Sequence, residues 1–185
     1  HIDGAQLHQH IKNKTFTPTC DTSRIPEADA ILMCLPTPLN KHREPDLSYI
    51  TSTICAIAPY LRKEQLLVLE STTYPGTTRD VIKPLLEKHT TLQVGQDIML
   101  GYSPEREDPG SATHTNYDIP KIVAGSSTKC HEAILQLYQS AFKEVVPVSK
   151  TEAAEMTKLL ENIFRCVNIA LINEMKMLAH KMDID

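Results

Sequence analysis

The sequence predicts an α/β fold, a mostly parallel sheet followed by one long helix. Three observations predict it. Five short apolar runs have strand length, stretches with helical spacing alternate with them, and residues 151–185 carry one unbroken helical pattern. Alternation of this kind builds βαβ units and a sheet covered on both faces.

Each element follows from its residues. Residues 30–35 (AILMCL) are continuously apolar and end at Pro36-Thr37-Pro38, the pattern of a strand buried on both faces. Pro45 and Asp46, a good N-cap, precede a helix over 47–61. Residues 65–70 (QLLVLE) form a second buried strand, and 71–76 a polar turn. A helix over 77–88 follows from the spacing of Val81, Ile82, Leu85 and Leu86, with Pro84 at odds with it. Residues 97–102 form the third strand and 121–125 a short fourth. A helix covers 129–142, and 144–148 is the fifth strand. Ser149 to Glu152 reads S-x-x-E, a capping box at the start of the long helix.

Composition narrows the function. A formal charge of −4 gives no footprint for nucleic acid or for an anionic membrane surface. No apolar run approaches the roughly 20 residues that span a bilayer, and no signal peptide is visible. The five cysteines lack zinc-ligand or redox spacing and the eight histidines are dispersed, so free thiols, no metal and a cytoplasmic location are expected. Cys34 and Cys166 read as small buried hydrophobes. The chain opens at His1 and stops at Asp185 within helical pattern, as a piece of something longer would.

The long helix carries a polar stripe. Thr151, Glu155, Lys158, Asn162 and Arg165 fall at i, i+4, i+7, i+11 and i+14, flanked on both sides by apolar residues such as Leu159, Leu160, Ile163 and Phe164. By itself the stripe also fits a solvated face. An amine and an amide one turn apart on an otherwise apolar rod equally suit a polar site facing a cleft. Three loops beyond strand ends, 36–45, 71–78 and 103–120, are rich in polar residues, and functional groups of parallel sheets collect there. The last is long and without periodicity, a candidate substrate-contacting segment.

Four motifs occur in order: LPTPLN (35–40) with REPD (43–46), ESTTYPGTT (70–78), YSPEREDPG (102–110) and KLLEN (158–162). On these the chain resembles the UDP-glucose/GDP-mannose dehydrogenases, in particular the branch acting on UDP-N-acetylhexosamines such as UDP-N-acetylglucosamine, from about Asp3 to the end. The resemblance implies NAD-dependent oxidation of a sugar C6 alcohol to a carboxylate in two steps. It implies a Rossmann-type NAD-binding domain over 1–150, partial because its first strand region is lacking. It also implies a central helix over 151–185 that makes a homodimer, and a UDP-sugar substrate.

The resemblance further assigns roles. Lys158 and Asn162 match the active-site lysine and asparagine of the family, where an ammonium and an amide donor stabilise developing oxyanion charge. Glu105 matches a glutamate near the reacting carbon that can orient a water for hydrolysis of an acyl intermediate. Thr72 matches a threonine that binds the catalytic water or the cofactor region. Pro36 and Thr37 correspond to the T-P loop against NAD, with Ser71 a weaker cofactor contact. Arg106 replaces a bulkier apolar residue of the glucose-specific members and is the reason for favouring N-acetylhexosamines. Alone, each residue has a plainer role: Asn162 a buried amide bonded to backbone, Thr72 a turn hydroxyl, Glu105 solvated surface.

Two departures limit the chain. No G-x-G-x-x-G is present to cradle a pyrophosphate, and none of the five cysteines matches the nucleophilic cysteine of the family. The 185-residue chain is therefore expected to be inactive although it derives from an active dehydrogenase. Other readings are a UDP-glucose or GDP-mannose enzyme, a non-catalytic dimerising piece, and a different dehydrogenase of the 6-phosphogluconate type, against which the PEREDPG stretch argues.

Overall fold

The computed structural model describes residues 3–105 and 119–184. Five strands form one sheet in the order β1-β2-β3-β4-β5: β1 (Ala30–Met33), β2 (Leu66–Leu69), β3 (Met99–Tyr102), β4 (Lys121–Gly125) and β5 (Val145–Pro147). β1, β2 and β3 run parallel, β4 is antiparallel to β3, and β5 is parallel to β4. The sheet is thus mostly parallel. No helix among the described residues is long and apolar enough to cross a membrane.

Alternation along each strand divides the core. Leu67, Leu69, Leu100, Tyr102 and Ile122 face one side, where α2 (Ser48–Ile57), α3 (Lys83–His89) and the first turn of α5 (Thr151–Lys181) supply Ile50, Ile54, Leu86 and Ala154. Leu66, Val68, Met99 and Val123 face the other, against Cys130, Ile134 and Tyr138 of α4 (Thr128–Gln139). The side chain of Gln65, fully buried, joins β2 to the segment just before β1 by donating to Ile25 O and Ala28 O at 2.9 and 2.7 Å.

Burial on both faces fails at β1, where Leu32 is 48% exposed. α4 packs over β2 to β5, and Ala30 joins the cluster on that face while Leu32 is left uncovered. Cys34 and Cys166 are likewise exposed rather than buried. Cys34 lies just past the edge strand, and α5 beyond its third turn is exposed along most of its length.

Helix starts differ in detail. Pro84 is accommodated because α3 begins only at Lys83, which puts the ring in its first turn; residues Thr77–Ile82 before it form a wider π-helical turn. Asp46 accepts the Ser48 N–H at 2.9 Å as a cap would, although Leu47 holds the N-cap position. The capping box does not form: Lys150 is the N-cap of α5, without a side-chain cap, and Glu152 instead pairs with Arg79. A helix the sequence reading omitted, α1 (Gly4–Lys12), opens the described chain, capped by Asp3 and without a buried residue.

Gly125 lets α4 start directly against the sheet. A Cβ there would lie 2.2 Å from His131 N and 2.4 Å from Cys130 C, both backbone atoms. Gly125→Ala is expected to cost about 1–3 kcal/mol through forced displacement of α4. The urea midpoint of the variant checks this.

Candidate functional site

The loops after β1, β2 and β3 carry Pro36, Thr37, Ser71, Thr72 and Glu105 at the carboxyl ends of these strands, while Lys158 and Asn162 stand on α5. Two loops there are stitched together. The Thr37 hydroxyl donates to Thr72 O at 2.7 Å, and the Ser71 hydroxyl accepts the Leu35 N–H at 2.8 Å. Thr37 and Ser71 therefore fix the relative position of the loops after β1 and β2. Thr72 is half-buried and Pro36 exposed. Across from them, Tyr102 leads through Ser103, whose N–H donates to Leu69 O at 3.0 Å, to Glu105.

The polar stripe of α5 divides by depth. Thr151 and Glu155 are buried, Lys158 and Asn162 half-buried, and Arg165 exposed. The side chains of Lys158 and Asn162 make no hydrogen bond or ion pair with another described residue, so both head groups stay available to a ligand. Arg106, with the rest of 106–118, lies outside the described residues.

Sequence reasoning missed the role of Glu155. Its side chain is fully buried, and its carboxylate accepts the Gly76 N–H at 2.6 Å, the Thr78 N–H at 2.8 Å and the Thr78 hydroxyl at 2.7 Å. Gly76, at φ +98°, makes the left-handed turn that aims these amides outward, and a Cβ there would sit 2.7 Å from Asp80 Oδ2. The loop after β2 thus holds a carboxylate as helix starts hold anions, except that the anion belongs to α5. Burial pushes the Glu155 carboxyl above the usual glutamate range, while the three donors pull against it. Arg79, paired with both Asp80 and Glu152, ties the same two elements at the surface. Since Lys158 and Asn162 follow Glu155 at one and two turns, the register of this lock sets where they stand relative to Thr72.

A second group was also missed. Lys121, 4% exposed at the start of β4, has Nζ 3.4 Å from Glu70 Oε1 and 3.4 Å from Glu105 Oε2. Glu70 also accepts hydrogen bonds from the Tyr138 hydroxyl and, at 3.4 Å, from the Cys34 thiol. Burial, followed by the nearby Glu70 charge, pushes the Cys34 thiol up to about 11, so it is a protonated donor and a poor nucleophile at neutral pH. The available signal was a charged residue at the inner end of two apolar strands, where burial demands a partner.

A cleft of about 630 Å³ lies elsewhere, between the starts of α4 and α5, lined by Arg79, Lys83, His131 and Lys150 among others. None of the candidate residues lines it. Among the described residues no group of three or more metal-ligating side chains converges.

Comparison with known proteins gives a consistent picture. Residues 4–142 match the UDP-glucose/GDP-mannose dehydrogenase family, NAD binding domain, and residues 152–185 match the central domain of that family. The chain is 34% identical to the UDP-N-acetyl-D-glucosamine 6-dehydrogenase of Pseudomonas aeruginosa, over 100% of this chain and 43% of that protein. It is 39% identical to the UDP-N-acetyl-D-mannosamine dehydrogenase of Campylobacter jejuni, over 86% of this chain and 41% of the relative. The solved UDP-D-ManNAc dehydrogenase of Pyrococcus horikoshii superposes with a TM-score of 0.89 at 34% identity, covering 96% of this chain and 42% of that one. The chain thus spans about two fifths of the length of the relatives it matches.

Proposed function

Because this chain belongs to the UDP-glucose/GDP-mannose dehydrogenase family, we propose that the protein carrying it oxidises the C6 alcohol of a UDP-N-acetylhexosamine, UDP-N-acetylglucosamine first among them, to the uronic acid. Residues 1–150 serve as part of the NAD-binding domain, and 151–185 as the helix that connects it to the sugar-nucleotide region. The observation that carries the proposal is the Glu155 lock. It joins the loop bearing Ser71 and Thr72 to the helix bearing Lys158 and Asn162, and so gives the sequence motifs a shared frame.

The residues present fit one side of a dinucleotide site. The loops after β1 and β2 are pinned to each other by Thr37 and Ser71, and β1 is an edge strand of the described sheet with Leu32 exposed beside them. Bound NAD supplies the hydride acceptor. Pro36, Thr37 and Ser71 would help to hold it there.

The remaining chemistry belongs to side chains. Loss of hydride from the C6 alcohol also releases a proton and builds charge on the oxygen. The Lys158 ammonium and the Asn162 amide N–H stabilise that charge, and Lys158 has the acid/base capacity to handle the proton. Glu105 and Thr72 orient the water that enters when the second oxidation ends in the carboxylate. Arg106 contributes to sugar recognition. Exposed apolar side chains along α5, among them Leu160, Phe164, Val167, Leu171 and Ile172, support pairing with a second copy through this helix.

Family members also act on UDP-glucose or GDP-mannose, so the test is an NADH-formation assay of the full-length protein with all three sugar nucleotides. UDP-N-acetylglucosamine is expected to give the highest kcat/KM, and a preference for either hexose would replace this reading. The 185-residue chain, without the glycine-rich turn and the nucleophilic cysteine in its sequence, is expected to form no NADH in the same assay.

A further inference from the structure

We infer that Lys121 is a positioning residue for the reaction: its buried ammonium bridges Glu70 to Glu105 and so holds the Glu105 carboxylate at the end of the sheet. The inference rests on the role given to Glu105 above. It adds a residue from the antiparallel strand, which none of the loop motifs contains.

Strand direction creates the pairing. In the antiparallel register Gly101 faces Gly125 and Tyr102 faces Ala124, and three residues further along the same count sets Glu105 opposite Lys121. A β4 parallel to β3 would have carried Lys121 to the other end of the sheet. The amine then meets two kinds of neighbour. On one side lie the stacked rings of Tyr138 and Phe142, with Nζ 5.7 and 5.4 Å from their centroids. Ring faces attract the cation but accept no strong hydrogen bond, so the donors of the ammonium are left for carboxylates. On the other side are Glu70 and Glu105, each 3.4 Å away.

The two carboxylates differ in burial. The side chain of Glu70 is 12% exposed and is held by Tyr138 and Cys34 as well as by Lys121; the side chain of Glu105 is 52% exposed. Burial and the Glu70 charge hold the Tyr138 hydroxyl far above its ordinary pKa, so it remains a donor and Glu70 remains fixed. Lys121 therefore transmits the rigidity of an inner, saturated carboxylate to an outer, half-exposed one at the end of the sheet. It also offsets the repulsion of two like charges that share a site. Placement of a reacting group to within about 1 Å is worth roughly 100-fold in rate, which sets the scale of the effect.

The test separates position from stability. Lys121→Met in the full-length protein leaves Glu70 buried without its cation, and Tm is expected to fall by roughly 10 °C. The double variant Lys121→Met with Glu70→Gln removes both charges. The amide that replaces the Glu70 carboxylate can still accept from Tyr138 and donate to the Cys34 sulfur, so Tm should return close to wild type. In that variant kcat with UDP-N-acetylglucosamine should stay roughly 100-fold down while KM changes little. Recovery of kcat together with Tm would overturn the inference, because Lys121 would then serve only to neutralise Glu70. A crystal structure of the double variant decides without turnover: Glu105 displaced from its place supports the inference, and Glu105 unmoved refutes it. A wild-type protein inactive toward every sugar nucleotide would remove the functional reading and leave this second arm to decide alone.

Discussion

Glu155→Ala lowers the stability of the 185-residue chain by about 3–5 kcal/mol and its Tm by roughly 10 °C. The substitution leaves the Gly76 N–H, the Thr78 N–H and the Thr78 hydroxyl without their acceptor in a site closed to water. Unsatisfied buried donors cost more than the net worth of the bonds they lose, and here three are orphaned together. Because the loop and the helix meet at this carboxylate, α5 should also lose its register on the sheet. Glu155→Gln keeps one acceptor but turns an amide N–H toward the donors, so its loss should be smaller. The lock also has a pH signature. Burial raises the folded-state pKa of Glu155 above its unfolded value. A group shifted in this direction contributes stability that is present below the unfolded pKa and is lost as pH rises through the folded pKa. The stability difference between wild type and Glu155→Gln should therefore shrink from about pH 4 upward. Urea denaturation across that range measures it, and a difference that grows with pH would contradict the assigned direction.

Much of this arrangement was legible in the residues. All five strands coincide with apolar runs, because a strand buried among neighbours must be apolar whatever its direction. Direction itself was not legible. Lys121-Ile-Val-Ala-Gly125 reads the same for a parallel and an antiparallel strand, so the meeting of Lys121 with Glu105 could not be anticipated. The stripe on α5 was visible as spacing, yet spacing could not distinguish Glu155, which is buried against amides, from Arg165, which faces solvent. That distinction depends on how far the sheet extends beneath the helix. Leu32 was misjudged for the same kind of reason, since its cover must come from a helix that no described segment supplies. α1 was overlooked because an exposed helix has little apolar periodicity, although Asp3 at its cap was a usable signal. The capping box failed where tertiary pairing of Arg79 with Glu152 outcompeted a local bond.

Thr37 and Ser71 teach a further lesson. Both were assigned to the cofactor from the family resemblance, and both hydroxyls are engaged in joining one loop to the other. A loop that must present backbone and side chains to a ligand first has to be held still. Short side-chain hydroxyls accomplish this at small steric cost, that of Thr37 between two prolines that stiffen its loop. The sequence motif therefore combines two demands, support and contact, that only coordinates separate.

We propose that the amine of Lys158 acts on the sugar alcohol from α5, in the register that Glu155 sets. The decisive measurement is the kcat of Lys158→Ala in the full-length protein with NAD and UDP-N-acetylglucosamine. Loss of a preorganised charge from a water-poor site costs roughly 10²- to 10³-fold, and a donor used mainly in the transition state lowers kcat more than it raises KM. The kcat is expected to fall by that factor with Tm unchanged, since the Lys158 side chain makes no hydrogen bond or ion pair with another described residue. A variant that turns over at the wild-type rate would contradict it.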